Sequence, residues 1–190
     1  MNQQITLIQN KAIRQLLVGL NAAADLALSV HQYECFLRCA AEEGKGLAIS
    51  TIAGLADTTL NQKEYAHFKH ALNRLMDGAP RRGRSGLQLL YRGDQASSVS
   101  SLAARRAREV GVTDKGKELV RLTGQITPMI RVLQEARGYQ VATTLQLYAF
   151  LICALNSGES LQNALAKDYG GVEPTDARYQ RIYGAIRQIR

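Results

Sequence analysis

The sequence has no tryptophan, only three prolines and only three cysteines. So few prolines, with the glycines scattered, exclude a collagen-like or linker-dominated chain. A small, odd number of cysteines does not suit a secreted disulfide framework. No apolar run reaches the roughly 18 residues that a membrane-spanning helix needs. The opening stretch MNQQITLIQN has no charged segment followed by an apolar one, so it does not read as a secretory leader. Enzyme signatures are missing too: there is no Walker loop, no Gly-x-Gly-x-x-Gly after a strand, no Gly-x-Ser-x-Gly and no His-Glu-x-x-His. The expectation is a cytoplasmic, non-enzymatic protein with reduced thiols, no cofactor and no membrane partner.

What is present is a core-forming composition and an uneven charge. The 190 residues are 46% hydrophobic, enough for one domain or two small ones sharing a core. The net charge of +8 is concentrated in the middle. Residues 61–110 carry ten basic and four acidic groups, whereas residues 1–60 carry four basic and five acidic. A basic patch on an otherwise balanced chain is the electrostatic footprint of a polyanion binder.

Apolar periodicity gives mostly helices. Ile13, Leu16, Leu17 and Leu20 make one stripe, and the first thirty residues read as helical. A second helix spans about 31–43, with Tyr33, Phe36, Leu37 and Ala40 on one face and Gly44 and Gly46 at its end. Ser50 caps a short helix to about residue 56. A third runs from about 62 to 76, burying Phe68, Ala71, Leu72 and Leu75, and Asp77-Gly78-Ala79-Pro80 stops it. Residues 87–91 and 109–112 read as two strands around a Gly- and Ser-rich loop. Thr113-Asp114 begins a helix to about 122, and Thr127-Pro128 reads as a cap followed by proline at the first helical position, with a helix to about 137. Residues 145–156, apolar enough to be buried, then 160–167 and 176–189 complete the helices.

The third helix carries polar chemistry opposite its apolar stripe. Asn61, Gln62, Lys63, His67, Lys69, His70, Asn73 and Arg74 include the side-chain types that hydrogen-bond base edges. Arg81, Arg82 and Arg84 follow it, and Arg92, Arg105, Arg106 and Arg108 lie on the strand-loop-strand segment. Guanidinium groups there suit phosphates or a minor groove. This is a winged helix-turn-helix arrangement: a mainly α fold with a small β-hairpin wing and additional terminal helices. The expected function is sequence-specific binding of double-stranded DNA, with the third helix in the major groove and the wing on the backbone. Cys35 and Cys39 with His67 and His70 form Cys-x3-Cys and His-x2-His, but free cysteine is commonly a small buried apolar residue, so no metal is assigned.

The order of these elements, ending in Val112-Thr113-Asp114-Lys115-Gly116-Lys117-Glu118-Leu119, resembles MarR-type winged-helix transcription regulators over about residues 31–137. In that family the second wing strand runs into Leu-Thr-x-x-Gly-x-x-Leu. Here Val112 replaces the first leucine, while Thr113, Gly116 and Leu119 match. The resemblance implies a repressor-type regulator acting as a homodimer, with terminal helices at the interface. The chain departs from the pattern in a long wing, in Ala104-Arg105-Arg106 where the family has Asp-x-Arg, and in its tail.

That tail echoes the front. Phe36-Leu37-Arg38-Cys39-Ala40 matches Phe150-Leu151-Ile152-Cys153-Ala154, and Gly44 matches Gly158, at a constant offset of 114. Ser50, Leu55 and Ala56 match Ser160, Leu165 and Ala166, and Phe68, Leu72 and Leu75 match Tyr179, Tyr183 and Ile186. So long a period suggests a duplicated module rather than a solenoid. The expected organisation is a dimerising N-terminal helix over 1–30, a winged helix-turn-helix over 31–123, and a helical region over 124–190. The last is either a second helix-turn-helix unit or a dimerisation element, and its Arg178, Gln180, Arg181 and Arg187 serve DNA or packing accordingly. Two alternatives stand beside the regulator: a tandem winged-helix plasmid or phage protein of replication or partition, and a protein-interaction module.

Overall fold

A computed structural model gives the fold and describes residues 2–45, 52, 62–79, 84–92, 110–139, 141–169 and 171–188. Among them the chain is mainly helical. Eight helices appear: α1 (Asn2–Asp25), α2 (Val30–Ala41), α3 (Gln62–Leu75), α4 (Asp114–Thr123), α5 (Ile126–Gly138), α6 (Thr144–Leu155), α7 (Leu161–Tyr169) and α8 (Ala177–Gln188). Four short strands form two antiparallel pairs. β1 (Gly78–Ala79) pairs with β2 (Arg84–Ser85), and β3 (Leu90–Arg92) pairs with β4 (Val110–Val112). No helix among the described residues is long and apolar enough to cross a membrane.

Local chemistry sets the helix starts. Ser29 and Thr143 each accept a hydrogen bond from the main-chain N–H three residues on, and Gln32 and Gln146 reach back to the cap N–H. These are reciprocal capping boxes, which satisfy two otherwise orphaned donors each. Thr113 caps α4 by accepting from Gly116 N at 3.1 Å. Thr127 does not act as a cap. α5 starts at Ile126 after Gln125, which makes no side-chain cap bond. Pro128 then falls in the first helical turn, where its missing N–H still costs nothing. The strand expected from residue 87 begins at Leu90, because Leu87, Gln88 and Leu89 donate their N–H groups to Arg74, Met76 and Leu75 at the end of α3. The short helix expected over 51–56 lies outside the described residues, except that Ile52 is helical and buried.

The core lies where α1, α2, α5 and α6 meet. α1 packs on α4 and α6, and α2 packs on α3, α5 and β4. Leu20, Ala23, Tyr33, Phe36, Leu37, Met129 and Leu133 are fully buried there. Gly19 lets α1 approach closely, since a Cβ at that position would stand 2.9 Å from Thr123 Cα. Burying an aliphatic or aromatic side chain of this size contributes about 1.5–3 kcal/mol each. Inside this core the Tyr33 hydroxyl meets Thr123 Oγ1 at 2.6 Å, and Thr123 donates onward to the Leu119 carbonyl at 2.7 Å. Such satisfied pairs remove the penalty of burying the hydroxyls.

Candidate nucleic-acid interface

α3 is amphipathic as its spacing dictates. Phe68, Ala71, Leu72 and Leu75 are buried, while His67, Lys69 and His70 are exposed and Asn73 and Arg74 are half-buried. Gln62 and Lys63 form its first turn. The two hairpins attach at its C-terminal end. Arg74 Nη1 donates to the Ser85 carbonyl, which anchors β2 to the helix. Arg92 Nη2 lies 3.4 Å from Asn73 Oδ1, so the end of β3 stands beside the outer face of α3. Arg84 lies in β2. Asn61, Arg81, Arg82, Arg105, Arg106 and Arg108 lie outside the described residues.

The β3–β4 pair is held rigidly at its base. Thr113 donates its hydroxyl to the Gln88 carbonyl at 2.7 Å and its N–H to the Leu89 carbonyl at 3.1 Å. Gly116 passes so close that a Cβ there would stand 2.2 Å from the Leu89 oxygen. The glycine of the Thr-x-x-Gly-x-x-Leu pattern is thus required by backbone contact, and Leu119 fills the core below it. On the strands, Gly111 faces Tyr91, whose ring occupies the space a side chain at 111 would need.

Seven ion pairs occur among the described residues, using Arg38, Lys45, Lys117, Arg121, Arg137, Lys167 and Arg181. Of the basic residues in the 61–110 stretch, the side chains of Lys69, Arg74 and Arg92 are described. Among the described residues, Lys69, Arg74 and Arg92 have no carboxylate partner. Their charge is therefore left for solvent or for a polyanion, and clustered unneutralised cations focus a positive potential.

Behind the face, Glu34 is a buried charge on α2. It accepts from Arg38 Nη2 and Arg137 Nη1, each at 2.8 Å, and from Gln134 at 3.3 Å. Burial alone would raise this carboxyl. The hydrogen bonds and charges of Arg137 and Arg38 outweigh it and hold the group below the ordinary carboxylate value. This network ties α2 to α5, and sequence reading missed it because Arg137 lies 103 residues away.

The cysteines behave as core residues. Cys35 and Cys39 are buried, whereas His67 and His70 point outward, so the four do not converge. Burial pushes the Cys39 thiol up to about 12 and the Cys35 thiol higher still. His31 Nε2 lies 3.7 Å from Cys35 Sγ, but burial and the Arg137 charge lower its pKa, so it supplies no imidazolium to activate the thiol. Cys153 is exposed. No group of three or more His, Cys, Asp or Glu among the described residues is placed to hold a metal ion.

The tail departs from expectation at two places. α6 is not buried all round: Leu147, Tyr148, Ala149 and Ile152 are buried, but Phe150 is 51% exposed and Cys153, Ala154 and Leu155 face solvent. Tyr183 is not part of the core-facing stripe of α8, in which Ile182 and Ala185 are buried and Tyr179 and Ile186 half-buried. Instead it stacks on Tyr179 at the surface, ring centroids 6.0 Å apart. Arg181 is committed to α1 through Asp25 at 3.1 Å and the Ala24 carbonyl.

Comparison with known protein families, with characterised proteins and with solved structures finds no significant match.

Proposed function

We propose that this chain is a winged helix-turn-helix protein that binds double-stranded DNA in a sequence-dependent way and regulates transcription, as a repressor of the MarR type. α3 is the recognition helix. Its polar face, with His67, Lys69, His70 and Asn73, enters the major groove, which is about 12 Å wide and accepts one helix. The β3–β4 hairpin is the wing, and Arg92, Arg105, Arg106 and Arg108 grip the backbone or the minor groove beside it. The observation that carries this reading is the exposed polar face of α3 with Arg92 of the hairpin set against it, both without carboxylate neutralisation among the described residues.

The mechanism is electrostatic positioning followed by base readout. Each phosphate contact releases condensed counterions, so affinity falls steeply with salt, with a slope near 0.9 per contact. A gel-shift titration across several salt concentrations tests this. Losing both Arg105 and Arg106 weakens binding to every sequence and flattens the salt slope by about two. Replacing His70 or Asn73 by alanine relaxes sequence preference and leaves that slope nearly intact. Unchanged binding and slope in the double arginine variant overturns the wing assignment. Absence of any complex at low salt favours the protein-interaction module instead.

A further inference from the structure

We infer that one chain carries both halves of a two-fold DNA reader, with α8 as a second groove-facing helix, so that a single molecule spans an inverted pair of half-sites. This rests on the DNA-binding reading above and changes its stoichiometry.

The decisive contact joins the two capping boxes. Ser29 and Thr143 form an isolated antiparallel bridge. Val30 N donates to the Ala142 carbonyl at 3.0 Å, and Thr144 N donates to the Leu28 carbonyl at 3.3 Å. Residues 28, 29 and 30 correspond to 142, 143 and 144 at the offset of 114 that also relates Phe36 to Phe150 and Gly44 to Gly158. Ser29 thus pairs with its own counterpart, and Leu28 and Val30 each bond to the counterpart of the other. An antiparallel pair centred on equivalent residues is a local two-fold axis, the mark of an isologous contact in symmetric dimers.

The helices obey the same axis. α1 precedes α2 as α5 precedes α6, and the packing is reciprocal: α1 lies on α6, and α5 lies on α2. Within each unit the first helix packs on the third, α2 on α3 and α6 on α8. Gly44 and Gly158 both take positive φ, +76° and +92°, just beyond α2 and α6. The C-terminal half of α1, a terminal helix that the family resemblance assigns to a partner interface, packs inside this chain: Leu17, Leu20, Ala23 and Ala24 are buried. On α8, Arg181, the counterpart of His70, is held against α1, so the outward face is a different one: Tyr183 and Arg187, which stand where Leu72 and Met76 are buried in and just after α3, are exposed. An aromatic ring and a guanidinium suit contact with bases and phosphates.

The test uses the full chain and a pool of random duplex DNA. Bound duplexes are selected at low salt and sequenced, and the complex on the best duplex is then weighed by sedimentation. Two half-sites in inverted orientation, with one chain per duplex, are expected. Replacing both Tyr183 and Arg187 by alanine, both exposed, then lowers discrimination about tenfold at one half-site only, and replacing His70 and Asn73 does so at the other. Two chains per duplex, directly repeated half-sites, or an α8 variant that leaves both half-sites unchanged overturns the paired reader while leaving DNA binding intact. Recovery of no duplex overturns both.

Discussion

α2 and α6 start alike and end up in different surroundings. Each begins with a capping box, carries Phe and Cys at matching positions, and ends before a glycine of positive φ. Yet Phe36 and Cys39 are buried while Phe150 and Cys153 are exposed. The difference comes from the neighbours. β4 packs on α2, and Glu43 just beyond that helix accepts the Val112 N–H at 3.0 Å. No strand pair covers α6 among the described residues. Local sequence thus determines where these helices begin and end, but burial of an individual face is a tertiary property.

The sharpest way to break the comparison is to truncate both phenylalanines. Phe36→Ala costs about 3–5 kcal/mol, the loss for a buried aromatic, whereas Phe150→Ala stays within about 0.5 kcal/mol. Urea unfolding of the two variants side by side checks this, and equal losses would mean that α6 is covered after all. Next in size is the buried charge that α2 has and α6 lacks, since Tyr148 stands where Glu34 would. Glu34→Ala is expected to cost about 2–3 kcal/mol. That is less than the usual cost of breaking a buried pair, because Arg38 and Arg137 can still reach water. The native carboxyl is held below its unfolded value of 4.5, so its contribution is present above that pH and is lost as pH falls through the folded pKa. The stability gap between the native chain and Glu34→Gln therefore narrows below about pH 4. The smallest effect tests the likeness rather than the difference: Ser29→Ala and Thr143→Ala each cost about 1 kcal/mol of stability.

Much of the helical layout was legible because periodicity and caps are local. The stripe of α3 follows from Phe68, Ala71, Leu72 and Leu75 alone. Thr113 and Gly116 mark the start of α4 because the polar cap and the close backbone approach leave few alternatives. The exposed face of α6 was not legible: a helix apolar on all sides gives no cue to which side a neighbour will take. The β1–β2 pair was missed because two-residue strands carry no alternation, and its anchor, Arg74 on Ser85, is a tertiary contact. The paired caps did leave a signal. Ser29 and Gln32 repeat as Thr143 and Gln146 three residues apart, the capping-box spacing, seven residues before the echoed phenylalanines. Only the fold reveals that the two caps bind each other.

The unequal cysteines have a practical consequence. A maleimide dye added to the folded chain reacts at Cys153, because that thiol is exposed while both thiols of α2 are buried. The label lands on α6, the counterpart of α2, without any engineering. In the proposed complex, a donor fluorophore there, with an acceptor on either end of the duplex, reports which way round the protein sits.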